Sequence, residues 1–147
     1  MRTKAALRDS KRILAIDYGS RRLGIAISDP MNIIARGLPT LYNDSRIFDN
    51  LREIISTHEV GRIIVGMPYN LKGEVGMKAK EVYEFLGRLQ QEVGVRVGTW
   101  DERFTSRLAQ QAMREMGTKK IERRKKGNVD RMASVLLLQS YLDSLKT

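Results

Sequence analysis

The sequence predicts a single α/β domain built on a mixed sheet, antiparallel on one side and parallel on the other. Three observations predict it. The chain has 147 residues, 41% hydrophobic and 30% charged with only 3 Pro, which fits one globular core of roughly 100–200 residues. Its apolar runs are short and switch between continuous or alternating patterns and a helical period. The resulting order, βββ-α-β-α-β-α-α, joins an antiparallel meander to strands connected through helical crossovers.

Each element has its own signal. Residues 1–11 form a basic tail, expected to be flexible. Arg12-Ile13-Leu14-Ala15-Ile16-Asp17 is a continuous apolar run ending in an acid, the pattern of a strand covered on both faces. Tyr18 to Arg22 supplies a turn, and Leu23 to Ser28 resumes a strand; so short a connection implies an antiparallel hairpin. Ile33 to Leu41 reads as a third strand, placed at an edge by Gly37 and Pro39. From Ser45 to His58, Ile47, Phe48, Leu51, Ile54 and Ile55 mark one face of a helix. Arg62 to Val65 is a short buried strand running into Gly66-Met67-Pro68. A helix over 74–92 turns Val75, Val82, Phe85, Leu86 and Leu89 inward, and a strand follows over 95–100. Two more helices are expected, from Ser106 to Met116 and from Val129 to Leu145, the last capped by Asn128.

The charge balance points to a polyanionic partner. There are 27 Lys+Arg against 17 Asp+Glu, a net +10, which favours nucleic acid. Half of that excess sits in the ten residues from Thr118 to Gly127, TKKIERRKKG, expected to be a basic loop whose Arg123, Arg124, Lys125 and Lys126 contact phosphates without reading sequence. No apolar run approaches a membrane span of about 20 residues, and the N-terminus has no apolar segment of the kind a secretory signal carries; a cytoplasmic protein with no membrane partner is expected.

Cysteine is absent and His58 is the one histidine, which removes thiol nucleophiles and His- or Cys-based metal sites. Carboxylates remain. Asp17 ends an apolar strand and shares a face with Ile13 and Ala15 if alternation holds. Asp101 and Glu102 end another strand, and Asp130 is expected in the first turn of the final helix. Carboxylates gathered at one sheet edge repel one another unless a divalent cation lies between them; Mg²⁺ or Mn²⁺ suits oxygen donors and phosphate, and such ions can drive phosphodiester hydrolysis.

The blocks ILAIDYGSRRLGIAISDP (residues 13–30), VGMPYN (65–70), DERFTS (101–106) and Val129-Asp130 ahead of a helix in LLLQSYLD closely resemble the YqgF (RuvX) family. These are bacterial proteins described as Holliday-junction-resolvase-like and as pre-16S rRNA maturation nucleases. The resemblance spans roughly residues 11–145. It implies a ribonuclease H-like fold, a five-stranded mixed sheet flanked by helices, with Asp17, Glu102 and Asp130 as metal-binding catalytic carboxylates. Here the fourth strand lacks the acid found in many such folds, so the second carboxylate must come from the fifth. Asp101 and Glu102 both qualify, with Glu102 preferred.

Supporting contacts are expected from Arg21 and Arg22 in the first turn, from Asn70 and Lys72 after the fourth strand, and from Arg103, Thr105 and Ser106 at the opening of a helix, where free N–H groups attract anions. Tyr18, Tyr69 and Trp100 are the only aromatic candidates for base stacking, so structure-selective binding is expected. The reading is a metal-dependent nuclease acting on structured RNA, in 5′-end maturation of pre-16S rRNA. A Holliday-junction DNA resolvase, for which a dimer would suit the substrate symmetry, and a non-catalytic RNA-binding factor are the alternatives. The Asp17-Tyr18-Gly19-Ser20 turn also looks like the phosphate loop of the actin and sugar-kinase superfamily, whose ATP site needs two lobes.

Overall fold

The computed structural model describes residues 11–68, 76–103 and 126–146, and the side chains of the last segment from Arg131 onward. Five strands, β1 (Arg12–Asp17), β2 (Arg22–Ser28), β3 (Ala35–Tyr42), β4 (Val60–Met67) and β5 (Arg96–Asp101), form one sheet in the order β3-β2-β1-β4-β5. β1 pairs antiparallel with β2, and β2 with β3; β1 and β4, and β4 and β5, pair in parallel. Three described helices cover the sheet: α1 (Ile47–Thr57), α2 (Met77–Glu92) and α3 (Lys126–Ser144).

Side-chain alternation divides the interior into two cores. Leu14 and Ile16 of β1, with Ile63, Val65 and Met67 of β4, pack against Phe48 and Leu51 of α1 and Val82, Phe85 and Leu89 of α2. On the other face, Ile13, Ala15 and Ile64 pack against Leu137, Leu138, Tyr141 and Leu142 of α3. Because β1 and β4 are buried on both sides, each Leu, Ile, Val or Met side chain they bury is worth about 1.5–3 kcal/mol, and a charge placed along them loses its hydration.

Several boundaries differ from those the sequence predicts. β3 starts at Ala35 rather than Ile33 because the Asp29 carboxylate accepts hydrogen bonds from the Ile33 and Ile34 N–H groups, at 2.6 and 2.8 Å, holding both in a turn. β4 begins at Val60 and is longer than the apolar run alone. α2 starts at Met77, since Gly76 is extended. α3 starts at Lys126, so Asn128 lies inside the helix and does not cap it, and Lys126 and Gly127 are helical rather than loop. Packing of the later turns carries the helix back through weak helix formers, overriding their propensity. The expected helix from Ser106 to Met116, and residues 118–125 of the basic run, lie outside the described residues.

At the start of β1 the pairing with β4 shifts between Arg12 and Ile13. The Ile13 N–H donates to buried Ser28 Oγ at 2.8 Å, and Ser28 Oγ donates to Asn32 Oδ1 at 2.6 Å. Replacing Ser28 with Ala leaves the Ile13 N–H buried without an acceptor, a cost of about 1–3 kcal/mol. Urea denaturation of Ser28→Ala is expected to show that loss as a lower midpoint with an unchanged slope; an unchanged midpoint would mean the N–H finds another acceptor.

Candidate active site

The C-terminal ends of β1, β4 and β5 form one rim, where open α/β sheets present ligand sites. Asp17 closes β1 and pairs with Gly24 of β2. It continues the alternation of Ile13 and Ala15, so it belongs to the face covered by α3, as expected from the sequence. Ile16 is in register with Val65, which places Gly66 of β4 one step on, beside Asp17.

Glu102 follows β5 directly, and its N–H donates to the Met67 carbonyl at 3.0 Å, extending the parallel pairing past the strand. Its side chain lies over Gly66: a Cβ at position 66 would sit 2.7 Å from Glu102 Oε1 and 3.0 Å from Leu137 Cδ2. Gly66 is therefore the space that Glu102 occupies. β1 and β5 flank β4, about 10 Å apart at the usual strand spacing, and Glu102 reaches inward across that gap toward the Asp17 side.

Asp101 is occupied differently. Its carboxylate accepts from Arg103 Nε at 2.9 Å, from Arg103 Nη2 at 2.6 Å and from the Arg103 backbone N–H at 2.9 Å. The Arg103 side-chain hydrogen bonds hold the Asp101 carboxyl below the ordinary aspartate value, against a smaller opposing effect of burial. So of the two adjacent acids, one is tied to its neighbour and the other lies over β4, toward β1.

Asp130 is the fifth residue of α3, one turn further in than the first-turn position expected from the sequence. Further along the helix, Ser134 and Leu137 are buried. The opposite end of α3 lies by the start of β4 and β5, where Leu145 lines a cavity with Arg62 and Arg96, so the helix enters from the side of the rim.

Beside Asp17 the β1–β2 turn borders an open cleft of about 440 Å³, lined by Tyr18, Arg21, Arg22, Lys78 and Glu81 among others. Gly19 makes the turn possible, since a Cβ there would stand 2.4 Å from the Arg22 carbonyl oxygen. Asn43 pins it, donating from Nδ2 to the Gly19 carbonyl at 2.9 Å and from its backbone N–H to the Arg21 carbonyl at 2.8 Å. Lys78 and Glu81 are residues that sequence reading missed. They lie in the first turns of α2, and nothing in their own spacing marks them as neighbours of Asp17.

The remaining expectations divide plainly. Asn70, Lys72, Thr105, Ser106, Arg123, Arg124, Lys125 and Tyr69 lie outside the described residues, and Lys126 opens α3. Tyr18 is packed against Phe85, with ring centroids 5.0 Å apart. Trp100 donates to Ser140 Oγ at 3.1 Å and meets the Tyr141 ring edge-on. Both rings are half-buried in the two cores rather than presented to a base.

Asp17 and Glu102 offer only carboxylate oxygens, the donor chemistry of Mg²⁺ and Mn²⁺. Among the described residues no group of three His, Cys, Asp or Glu side chains converges.

A family model described as RuvX, Holliday junction resolvase, matches residues 11–144. Proteins named "Putative pre-16S rRNA nuclease" are similar along most of their length. The one from Koribacter versatilis is 41% identical over 135 residues, covering 90% of this chain and 86% of its own. The one from Clostridium botulinum is 38% identical, covering 91% and 98%. Among solved structures, Thermus thermophilus RuvC in complex with a Holliday junction superposes with a TM-score of 0.58 at 16% identity, covering 92% of this chain and 96% of its own. Fowlpox virus resolvase, also with Holliday junction DNA, gives 0.55 at 16%, covering 92% and 99%. These two likenesses are of fold, and the five-stranded mixed sheet is of the ribonuclease H-like type.

The Asp101–Arg103 pair makes a pH prediction. A depressed carboxyl stabilises the fold fully above the unfolded aspartate value of about 3.9, and that contribution is lost as pH falls through the lower, folded value. Solvent screening at the part-exposed Arg103 limits it to about 1 kcal/mol. Asp101→Asn is therefore expected to lower the urea midpoint at neutral pH and to match wild type in strong acid. A deficit that persists in acid would assign the loss to geometry instead.

Proposed function

The chain belongs to the RuvX family, and from that premise we propose that it is a metal-dependent nuclease of structured RNA, acting in the cytoplasm on the 5′ end of pre-16S rRNA. The observation that carries this reading is the Glu102 carboxylate laid over Gly66, on the rim and face where Asp17 ends β1. The names of the relatives favour RNA as substrate; branched DNA is the second reading, favoured by the description of the family model, and it would call for a two-fold dimer.

Each residue has a role in this reading. Asp17 and Glu102 supply oxygen donors from two strands, and Asp130 supplies a third from α3. A bound Mg²⁺ or Mn²⁺ ion supplies Lewis-acid stabilisation of the phosphoryl oxygens and lowers the pKa of water. Arg21, Arg22 and Lys78 line the cleft on the other side of the Asp17 turn, where they hold flanking phosphates and fix the polynucleotide path across the carboxylates. Gly66 keeps β4 free of any side chain that would displace Glu102. Asp101 orients Arg103 and takes no part at the scissile bond. With no cysteine in the chain and no hydroxyl nucleophile indicated, the reading is direct hydrolysis by water rather than a covalent enzyme intermediate.

The test is cleavage of end-labelled pre-16S rRNA and a four-way DNA junction by wild type, Asp17→Asn, Glu102→Gln and Asp101→Asn, in Mg²⁺, Mn²⁺ or EDTA. Asp17→Asn and Glu102→Gln are expected to lose more than about 100-fold, beyond the 10–100-fold typical of outer-shell changes, with binding of the RNA retained. Asp101→Asn is expected to stay within a few-fold of wild type. Cleavage of the junction alone would move the assignment to DNA. Cleavage in EDTA, or equal cleavage by Asp17→Asn, would overturn it, and metal-independent binding without turnover would leave an RNA-binding factor.

A further inference from the structure

We infer that the end of the sheet opposite the active rim carries a phosphate-binding site formed by Lys11, Arg62 and Arg96. Arg62 of β4 and Arg96 of β5 are register partners on adjacent parallel strands. Like charges directly opposite one another destabilise a sheet. Lys11 joins them from β1's side, its aliphatic stem lying against Gly61 and its Cβ 2.6 Å from where a side chain at that position would begin. The three residues line one open cavity of about 890 Å³, together with Asn32, Val95 and Leu145 among others, the Arg62 guanidinium extending along the sheet to Gly98, and no acidic residue among the described residues lines it.

Ion pairing among the described residues does not neutralise them. None of the three has a carboxylate partner among the described residues. The Arg62 guanidinium lies 5.4 Å from the centre of the Tyr141 ring, while its Nε is closed off from solvent and has no hydrogen-bond acceptor. Asp143 is already engaged by Lys146 at 3.4 Å and by Gln139. Glu59 lines a separate, smaller cavity with Lys11, Arg12 and His58. The C-terminal end of α3 contributes a partial charge of about −0.5, which among the described residues leaves most of three positive charges without a paired counterpart. A dianionic or bridging phosphate supplies it.

The position of Lys11 is also built rather than incidental. Asn32, in the left-handed region at φ 56°, donates from Nδ2 to the Lys11 carbonyl at 3.3 Å and accepts from buried Ser28. That network and the shifted register at Arg12/Ile13 fix where the chain delivers the first cation.

Gly66 lies four residues along the strand from Arg62, about 13 Å at 3.3 Å per residue. A mononucleotide spans less than that once side chains are added; a folded polynucleotide reaches both ends. The occupant we assign is therefore a phosphodiester of the same RNA, remote from the cleaved bond. The identity of that polymer rests on the nuclease reading above; the phosphate chemistry does not.

The experiment is amide NMR on the full chain, titrated separately with inorganic phosphate, adenosine 5′-monophosphate and an RNA hairpin, alongside the salt dependence of hairpin binding. The Gly61, Arg62, Gly94 and Arg96 amides are expected to shift with the hairpin, and Lys11→Glu/Arg96→Glu is expected to abolish those shifts while leaving the ones at Gly19 to Arg22. Lys11→Gln/Arg96→Gln separates lost contact from new repulsion; the slope of log affinity on log salt is expected to fall by about 1.4 in it, at about 0.7 per contact on single strands. Shifts at the four amides with phosphate or the mononucleotide but not the hairpin would uphold the site and replace its occupant with a free phosphate. No shift with any probe, or shifts and slope unchanged in both variants, would overturn the site. The shifts need no turnover, so failure of the nuclease reading would not decide this one.

Discussion

The hydrogen-bonded seam between β1 and β4 is the constraint on which the molecule depends. It is where an antiparallel meander meets a parallel pair, and both of its strands are covered on two faces. No charge can enter such strands along their length without losing its hydration. Polar chemistry is therefore pushed to their two ends, and the parallel direction sets which end is which. At the C-terminal end stand Asp17, Gly66 and, one strand over, Glu102; at the N-terminal end stand Lys11, Gly61 and Arg62. One rule of burial thus produces an acidic rim and a basic rim on opposite sides of a single sheet.

Glycine gives the acidic rim its geometry. A strand with a side chain at position 66 would hold the carboxylates of its two neighbours apart, at the full width of three strands. Without one, Glu102 crosses over β4. The fold thus replaces an acid on the fourth strand with a vacant place there and a longer acid on the fifth, and the extra methylene of glutamate over aspartate fits that reach. Asp101, shorter and on the other side of the strand by alternation, finds Arg103 instead.

Much of this was legible in the residues. The continuous run over 12–17 located β1 and put Asp17 at its end, alternation gave its face, and Gly37 and Pro39 placed β3 at the sheet edge. Glu102 lies over Gly66 and Asp101 is tied to Arg103, a division the strand pattern alone leaves open. What was not legible required contacts between distant segments. The start of α3 could not be read because capping signals at Asn128 are local, while the helix is sustained by packing several turns later. Lys78 sits in an unremarkable amphipathic pattern and becomes a neighbour of Asp17 only through the placement of α2. Arg62 and Arg96 each look like an ordinary residue at the start of a strand; only the strand register sets them side by side. The lesson is physical: short-range pattern records burial, whereas charge clusters are made by topology.

The face that holds Asp17 and Glu102 is covered by α3, whose ties to the sheet span most of the chain. Gln139 accepts from the Ala35 N–H and donates to the Ile33 carbonyl, across sequence separations of 104 and 106 residues. Contacts of such long range form late, because the loop must close before they contribute. During synthesis the meander and the face beneath α1 and α2 can be complete while the other face is still bare. The carboxylates then stand on an unfinished surface, and in the nuclease reading proposed above Asp130 has yet to join them. In that reading, a chain assembled in this order passes through its own translation without a complete site, which forms only when α3 docks.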